Sequence, residues 1–310
     1  VRAFLEVYCP LYWRDLWSRL AGSRQLDVLR SPYFLKLLTE QVEDTGEMPE
    51  GRAGLFTGFV RQCFRREVEQ ENALFAPDAL VSSRDIRRVT HWRWTTPYEL
   101  PERGPLIPKL ASLAYGMQAG RSDGEVSQVR VDYDEALDLL DDERGEDIVR
   151  AGVALSVLDE DPAADEVMYV HQLVQEYFAG REMARAFDPE LVRSEWRAAA
   201  IRPTVDEVID GLDPADPLPG LPQTGWEETA LLATAMASEP ASFLRAVADT
   251  NLVLAARCAA QPEVMPRVPA GLLDDLRAVL VQRTEDVDAD LRHRIACGYA
   301  LGDVGDPRFE

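Results

Sequence analysis

The sequence predicts a mainly α-helical protein with one small β-hairpin. Apolar residues recur every three or four positions along most of the chain, and this spacing places them on one face of a helix. Between residues 155 and 170, two short apolar runs flank a polar segment, a pattern typical of a hairpin. Hydrophobic residues make up 46% of the sequence, enough to form cores and too many for a disordered chain.

The N-terminal region predicts three helices. Residues 2–20 contain two short ones around Pro10. Ser31 and Pro32 mark the start of the third helix. Serine can cap the free N–H groups of the first turn. Proline suits the first helical position because an N–H there would have no partner within the helix, so its absence costs nothing. Gly46 marks its end, as glycine commonly does. The apolar stripe of this third helix comprises Leu35, Leu38 and Val42.

A further amphipathic helix is predicted between residues 56 and 64, after which the helical pattern weakens from residue 73 to 104. This weaker stretch contains Trp92 and Trp94. Their alternation could place both rings on one face of a strand as a platform for a ligand, or both could belong to a packed linker. We assign residues 1–104 to one helical domain together with this linker.

The segment 105–188 predicts a winged-helix domain. Helical patterns restart at residue 106 and recur at 133–140 and 148–155. The hairpin follows, with its polar tip at 159–166, and a last helix comes after it. The order of three helices, a hairpin and a trailing helix is typical of a winged helix.

The segment 189–310 predicts an α-helical, HEAT-like array. Residues 213–222 are rich in proline and glycine, which indicates a boundary, and only short amphipathic helices follow. Short helices separated by brief turns favour stacked pairs, although no strict repeat of residue identity is present. The predicted helices span 226–237, 241–248, 252–260, 272–282 and 287–301.

The charge of the chain argues against two classes of partner. The formal net charge is −22, and nonspecific binding to nucleic acids or anionic membranes depends on lysine and arginine. The sequence contains no apolar run of 18 residues and does not open with a basic segment followed by an apolar core, so we expect neither a transmembrane span nor a signal peptide. The four cysteines are predicted to be buried free thiols, as in a reducing compartment, so we expect a cytoplasmic protein.

Motifs of the common catalytic and metal sites are missing from the sequence. It contains no P-loop, no G-x-S-x-G, no C-x-x-C and no H-E-x-x-H. His91, His171 and His293 lie far apart, and we therefore predict neither a catalytic constellation nor a metal site. The chain begins with Val1 rather than methionine, so we expect it to be a piece of a longer protein and not an enzyme by itself.

Residues 170–179 read Val-His-Gln-Leu-Val-Gln-Glu-Tyr-Phe-Ala. This stretch resembles the Phe-x-His-x-x-x-Gln-Glu-Tyr-Phe-Ala signature at the hairpin exit of bacterial NACHT-domain signalling ATPases. Val170 stands where the family commonly has an aromatic residue, and Ser31 stands where it usually has asparagine. Other stretches are similar to the family's helical lid and to the helical region that often follows: 31–38, 46–49 and 51–59 for the lid, and 226–232 and 251–258 for the helical region.

The resemblance implies a regulatory role beside a nucleotide. In the family, the proline that corresponds to Pro32 packs against the adenine, and the histidine that corresponds to His171 reaches the β-phosphate of ADP. The parent protein would bind ADP or ATP with Mg²⁺ mainly through an N-terminal P-loop core, its first partner. Exchange of ADP for ATP, prompted by a sensed ligand, would lead to a homo-oligomer, and bacterial members often act in antiphage defence.

Alternative interpretations remain open at this point. Pro32 could simply start a helix, and His171 could be a core histidine at a strand end. The chain could be a helical scaffold without a nucleotide role. It could also be a winged-helix regulator that binds DNA, although the expected recognition element, 146–155, has Arg150 as its only cation.

Overall fold

The protein is mainly helical and carries a small three-stranded antiparallel sheet. The chain divides into two compact units, Val1–Glu182 and Met183–Glu310. The predicted boundary after residue 188 lies near this division, whereas the predicted boundary after residue 104 lies inside the first unit; the assignment of three domains remains a prediction. The computed structural model describes residues 1–21, 29, 32–120, 130–213 and 215–309.

The first unit opens with two short helices, α1 (Arg2–Tyr8) and α2 (Trp13–Leu20), as predicted. The predicted cap Ser31 lies outside the described residues. The third helix, α3 (Pro32–Thr45), begins at the predicted proline. It ends at Gly46, whose φ of +71° is the left-handed conformation that favours glycine.

Helix α4 (Gly51–Glu69) packs against α3 and buries most of its length. The packing is close at Gly58, because a Cβ atom added there would collide with the side-chain amide of Gln41 on α3. Helix α5 (Ser83–Thr90) follows, with Ser82 as its N-cap. The Ser82 side chain accepts the N–H of Asp85 at 3.1 Å, which satisfies one of the unpaired donors at the helix start.

The predicted hairpin is confirmed. Strands β2 (Leu158–Asp161) and β3 (Glu166–Tyr169) pair antiparallel, with Leu158 opposite Tyr169. The first strand begins at Leu158 rather than Leu155, because Leu155 still caps the preceding helix and Ser156 takes a left-handed conformation with φ of +57°. A short strand that was not predicted, β1 (Arg130–Asp132), pairs with β3 and completes the sheet in the order β1-β3-β2.

Four helices surround this sheet in the predicted order. Tyr177 and Phe178 of the last helix are fully buried. Tyr169 at the end of β3 is buried and donates its hydroxyl to the carbonyl oxygen of Leu110 at 2.6 Å, which attaches the hairpin to the first of these helices. The helices are α6 (Leu106–Ala119), α7 (Tyr133–Leu140), α8 (Gly145–Ala154) and α9 (Gln172–Arg185).

The second unit is built from short helices, and the five helices predicted beyond residue 226 are confirmed. In addition, α10 (Val205–Asp210) begins with a capping box in which Thr204 and Glu207 bond each other's backbone N–H groups. Helix α12 packs on α13, and α15 packs on both α13 and α14. The five predicted helices are α11 (Glu227–Met236), α12 (Pro240–Thr250), α13 (Leu252–Ala259), α14 (Ala270–Glu285) and α15 (Leu291–Val304).

Candidate functional site at the hairpin exit

His171 lies between β3 and α9, where it caps the start of the helix. Its carbonyl oxygen accepts the N–H groups of Val174 and Gln175 at 2.9 and 3.2 Å. Its ring nitrogen Nδ1 accepts the N–H of Leu173 at 3.1 Å, in the manner of a side-chain N-cap. The hairpin exit therefore holds the imidazole at a helix N-terminus, a position that favours anions.

The hydrogen bond to Nδ1 determines which tautomer His171 adopts. A neutral imidazole that accepts at Nδ1 carries its proton on Nε2. In the part of the chain that the structure describes, Nε2 has no hydrogen-bond partner, so it remains a donor for another group. Burial lowers the pKa of His171, which keeps this half-buried imidazole neutral.

Two aromatic residues in the first turn of α3 pack against His171. The ring of Tyr33 lies parallel to the imidazole, with a centroid distance of 6.3 Å and an interplanar angle of 3°. The ring of Phe34 meets the imidazole edge-on at 4.7 Å and 74°. Pro32 precedes them and is exposed. The structure thus brings the start of α3 to the hairpin exit, and a shared ligand for Pro32 and His171 remains a prediction.

The same aromatic residues connect His171 to the core of α3 and α4. Phe34 is 1% exposed and lies edge-on to Phe56 of α4, with a centroid distance of 5.4 Å. The Tyr33 hydroxyl is buried without a hydrogen-bond partner in the described parts of the chain, and burial raises its pKa to about 12. Sequence reasoning missed both residues as parts of the site, although the aromatic pair directly after Pro32 was a visible signal.

A buried polar network lies one turn beyond this contact on α9. The hydroxyl groups of Tyr177 on α9 and Thr57 on α4 are 2.8 Å apart. Arg181 donates to the Tyr177 hydroxyl at 2.9 Å and to the carbonyl oxygen of Tyr98 at 3.1 Å, and it forms an ion pair with Glu102. Burial strengthens such bonds, so the network fixes α9 against α4 and the segment 98–102.

The tryptophans of the predicted linker do not lie on a strand. Residues 91–97 contain no regular strand, so the interpretation of Trp92 and Trp94 as one face of a strand is wrong. The two rings meet edge-on at 6.0 Å, and the guanidinium of Arg61 lies 4.3 Å from the Trp94 centroid. The α-helical periodicity of α4 did not reveal Arg61 as a buried residue, because a single arginine beside an apolar stripe usually faces solvent.

Helix α8, the expected recognition element for DNA, carries a single cation, which is already paired within the helix. Its single cationic residue, Arg150, donates to Asp147 at 3.2 Å and to Glu146 at 2.8 Å, within the same helix. Phosphate contacts require cations that can leave such pairs. This geometry disfavours the DNA-binding alternative.

The cysteines and acidic residues do not assemble a metal site in the described parts of the chain. No group of three or more histidine, cysteine, aspartate or glutamate side chains there could hold a metal ion. All four cysteines are buried and free, as predicted. Burial raises the pKa of Cys63 to about 11 and that of Cys258 to about 12, which keeps both thiols protonated.

Across the described ranges, none of the helices combines the length and apolar character needed to cross a bilayer. Comparisons of this chain with protein-family models, with curated proteins and with solved structures found no match.

Proposed function

We propose that this chain is the regulatory portion of a NACHT-type signalling ATPase, in which Pro32 and His171 close over ADP held by a nucleotide-binding domain of the same polypeptide. The observation that carries the proposal is the packing of Tyr33 and Phe34 against His171. Two segments that are distant in the sequence, and that both resemble nucleotide-contacting segments of one family, meet at a single surface.

The local chemistry suits a diphosphate. The Nε2–H of His171 can donate to a phosphate oxygen, while the start of α9 adds the favourable end of its helix dipole. Exposed Pro32 offers an apolar surface for the adenine ring. The nucleotide and its Mg²⁺ are bound mainly by the P-loop core, and this chain contributes the contacts that distinguish the ADP state.

The proposed mechanism is a two-state switch. With ADP bound, the lid helices and the winged helix cover the nucleotide. Exchange for ATP, prompted by a sensed ligand, removes the histidine–phosphate contact and releases the closed state, and the protein then forms a homo-oligomer. A nucleotide shifts such an equilibrium only through its different affinity for the two states, and His171 supplies part of that difference.

The rest of the fold supports the same assignment. The succession α6, α7, α8, β2–β3 and α9 matches the order of a winged helix, and the short helices of the second unit fit a HEAT-like array. We further propose, from the resemblance, that the protein acts in the cytoplasm of a bacterium in antiphage defence and that this chain has no enzymatic activity of its own. A plain helical scaffold would not require a free imidazole donor beside an exposed proline.

The test uses the full-length parent protein and its His171→Ala variant. The ADP that remains bound after purification is measured by ion-exchange chromatography, and spontaneous oligomerisation is measured by light scattering. We expect the variant to bind ADP roughly tenfold more weakly, the value of one charge-assisted hydrogen bond, and to oligomerise without a stimulus. His91→Ala is the matched control, because His91 is exposed at the end of α5. Unchanged ADP retention and autoinhibition in the His171 variant would refute the proposal.

A further inference from the structure

A cleft of about 700 Å³ opens between α4, the end of α3 with the loop that follows it, and the segment after α5. This volume lies within the range of small-molecule binding sites. Arg61 and Arg65 of α4 line the cleft, together with Trp92 and Trp94 of the following segment. Neither Pro32 nor His171 is among the lining residues, so the cleft is distinct from the proposed nucleotide contact.

Arg61 is a buried cation in the wall of this cleft, with an exposed fraction of 8%. Its Nε and Nη2 atoms donate to the carbonyl oxygens of Thr96 and Glu99 at 2.7–2.9 Å. No carboxylate of the described residues forms an ion pair with it, and the Glu99 carboxylate instead binds Arg88. The Glu99 carboxylate is near enough to act on the Arg61 charge but does not pair with it, so an anionic ligand could supply the ion pair that a buried charge normally has.

Two of the residues that line the cleft each contain a polar atom that is buried without a partner in the described ranges. These atoms are the indole Nε1 of Trp94 and the side-chain oxygen of Gln41. An unpaired buried donor is costly, and a ligand that offers an acceptor to Trp94 Nε1 would remove that cost. The guanidinium of Arg61 lies over the Trp94 ring, 4.3 Å from its centroid, so both residues belong to the same part of the wall.

The other charges of the cleft lie near solvent. Glu47 and Glu50 also line it, but both are exposed, and their fields are weakened by water and salt. Arg65 is exposed as well and pairs with Glu69 at 2.7 Å. The charge of Arg61 acts in a drier environment, where electrostatic interactions are stronger, so the inner wall favours an anion.

We propose that this cleft binds a small molecule that carries an oxyanion, either a carboxylate or a phosphate. The charged group contacts the guanidinium of Arg61 and the indole N–H of Trp94. The rings of Trp92 and Trp94 favour a flat, apolar body next to the charged group. This ligand is additional to the nucleotide of the proposed function, and its binding does not depend on a P-loop domain.

The test uses the chain as it exists and the probes phenyl phosphate and benzoate. Binding is measured by isothermal titration calorimetry at constant ionic strength, with benzamide as the neutral probe of the same shape and benzylamine as the cationic one. We expect saturable binding of at least one anionic probe and at least tenfold weaker binding of benzamide and benzylamine. The tighter of the two anionic probes identifies the oxyanion.

Variants assign the binding to this cleft. Arg61→Gln is expected to abolish binding of the anionic probe, and Trp94→Phe, which keeps a ring but removes the N–H, is expected to weaken it roughly three- to tenfold. Arg66→Gln is the matched control on the same helix, because Arg66 does not line the cleft. Circular dichroism checks that each variant is folded. If Arg61→Gln does not fold, the affinity of Trp94→Phe for the anionic probe is the result that tests the proposal.

Three results would overturn the proposal. The first is no saturable binding of either anionic probe to the unmodified chain. The second is an affinity for benzamide equal to that for the anions, because the negative charge of the ligand would then contribute nothing to binding. The third is an equal loss of affinity in Trp94→Phe and Arg66→Gln, which would place the bound anion elsewhere.

Discussion

The hydroxyl groups of Thr57 and Tyr177 lie 2.8 Å apart in the protein core, although 120 residues separate them in the sequence. Both residues are fully buried. Arg181 donates to the same Tyr177 oxygen, and its ion pair with Glu102 compensates its charge. This arrangement connects α9, the helix after the hairpin, to α4.

We expect Tyr177→Phe and Thr57→Val each to lower the free energy of unfolding by about 1–2 kcal/mol, because each leaves a buried polar group without one partner. The double variant should cost about 1 kcal/mol less than the sum of the single variants, since the two groups share one bond. Urea unfolding measures all three. Tyr8→Phe is the control, because Tyr8 is 59% exposed, and full additivity would contradict the assigned bond.

The contact between Phe34 and His171 predicts a change in titration. Phe34→Leu removes part of the ring that buries the imidazole, and burial is what lowers the pKa of His171. We therefore expect the pKa to rise toward that of a free histidine, at a stability cost of about 1–2 kcal/mol. Proton NMR titration measures the pKa. Phe75→Leu, a core change elsewhere in the unit, should leave it unchanged, and an unchanged pKa in Phe34→Leu would count against the contact.

His293 on α15 predicts a loss of stability in acid. The residue is 3% exposed, neither ring nitrogen has a partner in the described chain, and burial, reinforced by nearby Arg283, lowers its pKa from 6.5 to about 4. Between these values the unfolded chain binds more protons than the folded one, so stability falls as the pH decreases from about 6.5 to about 4 and is unaffected above 6.5.

The full effect is about 3 kcal/mol, since one pKa unit corresponds to about 1.4 kcal/mol. When the pH is lowered from 7.5 to 4.5, the free energy of unfolding should therefore decrease less in His293→Leu than in the unmodified chain. Denaturant unfolding of the whole chain at both pH values measures this difference. His91→Gln, a change at an exposed histidine, controls for general effects. Parallel pH profiles for the unmodified chain and the leucine variant would rule out a buried neutral histidine.

The close packing of α3 on α4 predicts how the stability of the protein responds when Gly58 is replaced by alanine. Alanine is better than glycine in a helix interior by about 1 kcal/mol. At Gly58, however, the new Cβ would collide with the Gln41 amide, the far end of a flexible side chain that must move aside, so we expect Gly58→Ala to gain less stability than Gly298→Ala. Gly298→Ala on α15 meets no atom within 4 Å and should stabilise the protein. Thermal unfolding compares the two, and Gln41→Ala in the Gly58 variant should recover part of the difference.

The elements of the fold could be predicted because their signals are local. The helices beyond residue 226, the hairpin around residues 158–169 and the start of α3 at Pro32 follow from apolar spacing and from cap and turn residues. Strand β1 could not be predicted, because its pairing with β3 depends on a partner more than 30 residues away. Three residues are also too few for a reliable strand pattern.

Which residues form the two sites depends on long-range contacts, and local sequence patterns carry no information about these. The sequence singled out Pro32 and His171 but not the packing of Tyr33 and Phe34 against the imidazole. It likewise offered no sign that Arg61 is buried without forming an ion pair.

The amino-acid order by itself determined which segments are helical, where the hairpin lies and which side chains can carry a proton or a charge, because periodicity and side-chain chemistry are local properties. Only the tertiary structure decided that α3 meets the hairpin exit, that Thr57 and Tyr177 share a hydrogen bond, and that the guanidinium of Arg61 is buried in the wall of a cleft. Long-range packing controls burial, and burial determines which polar groups remain without partners.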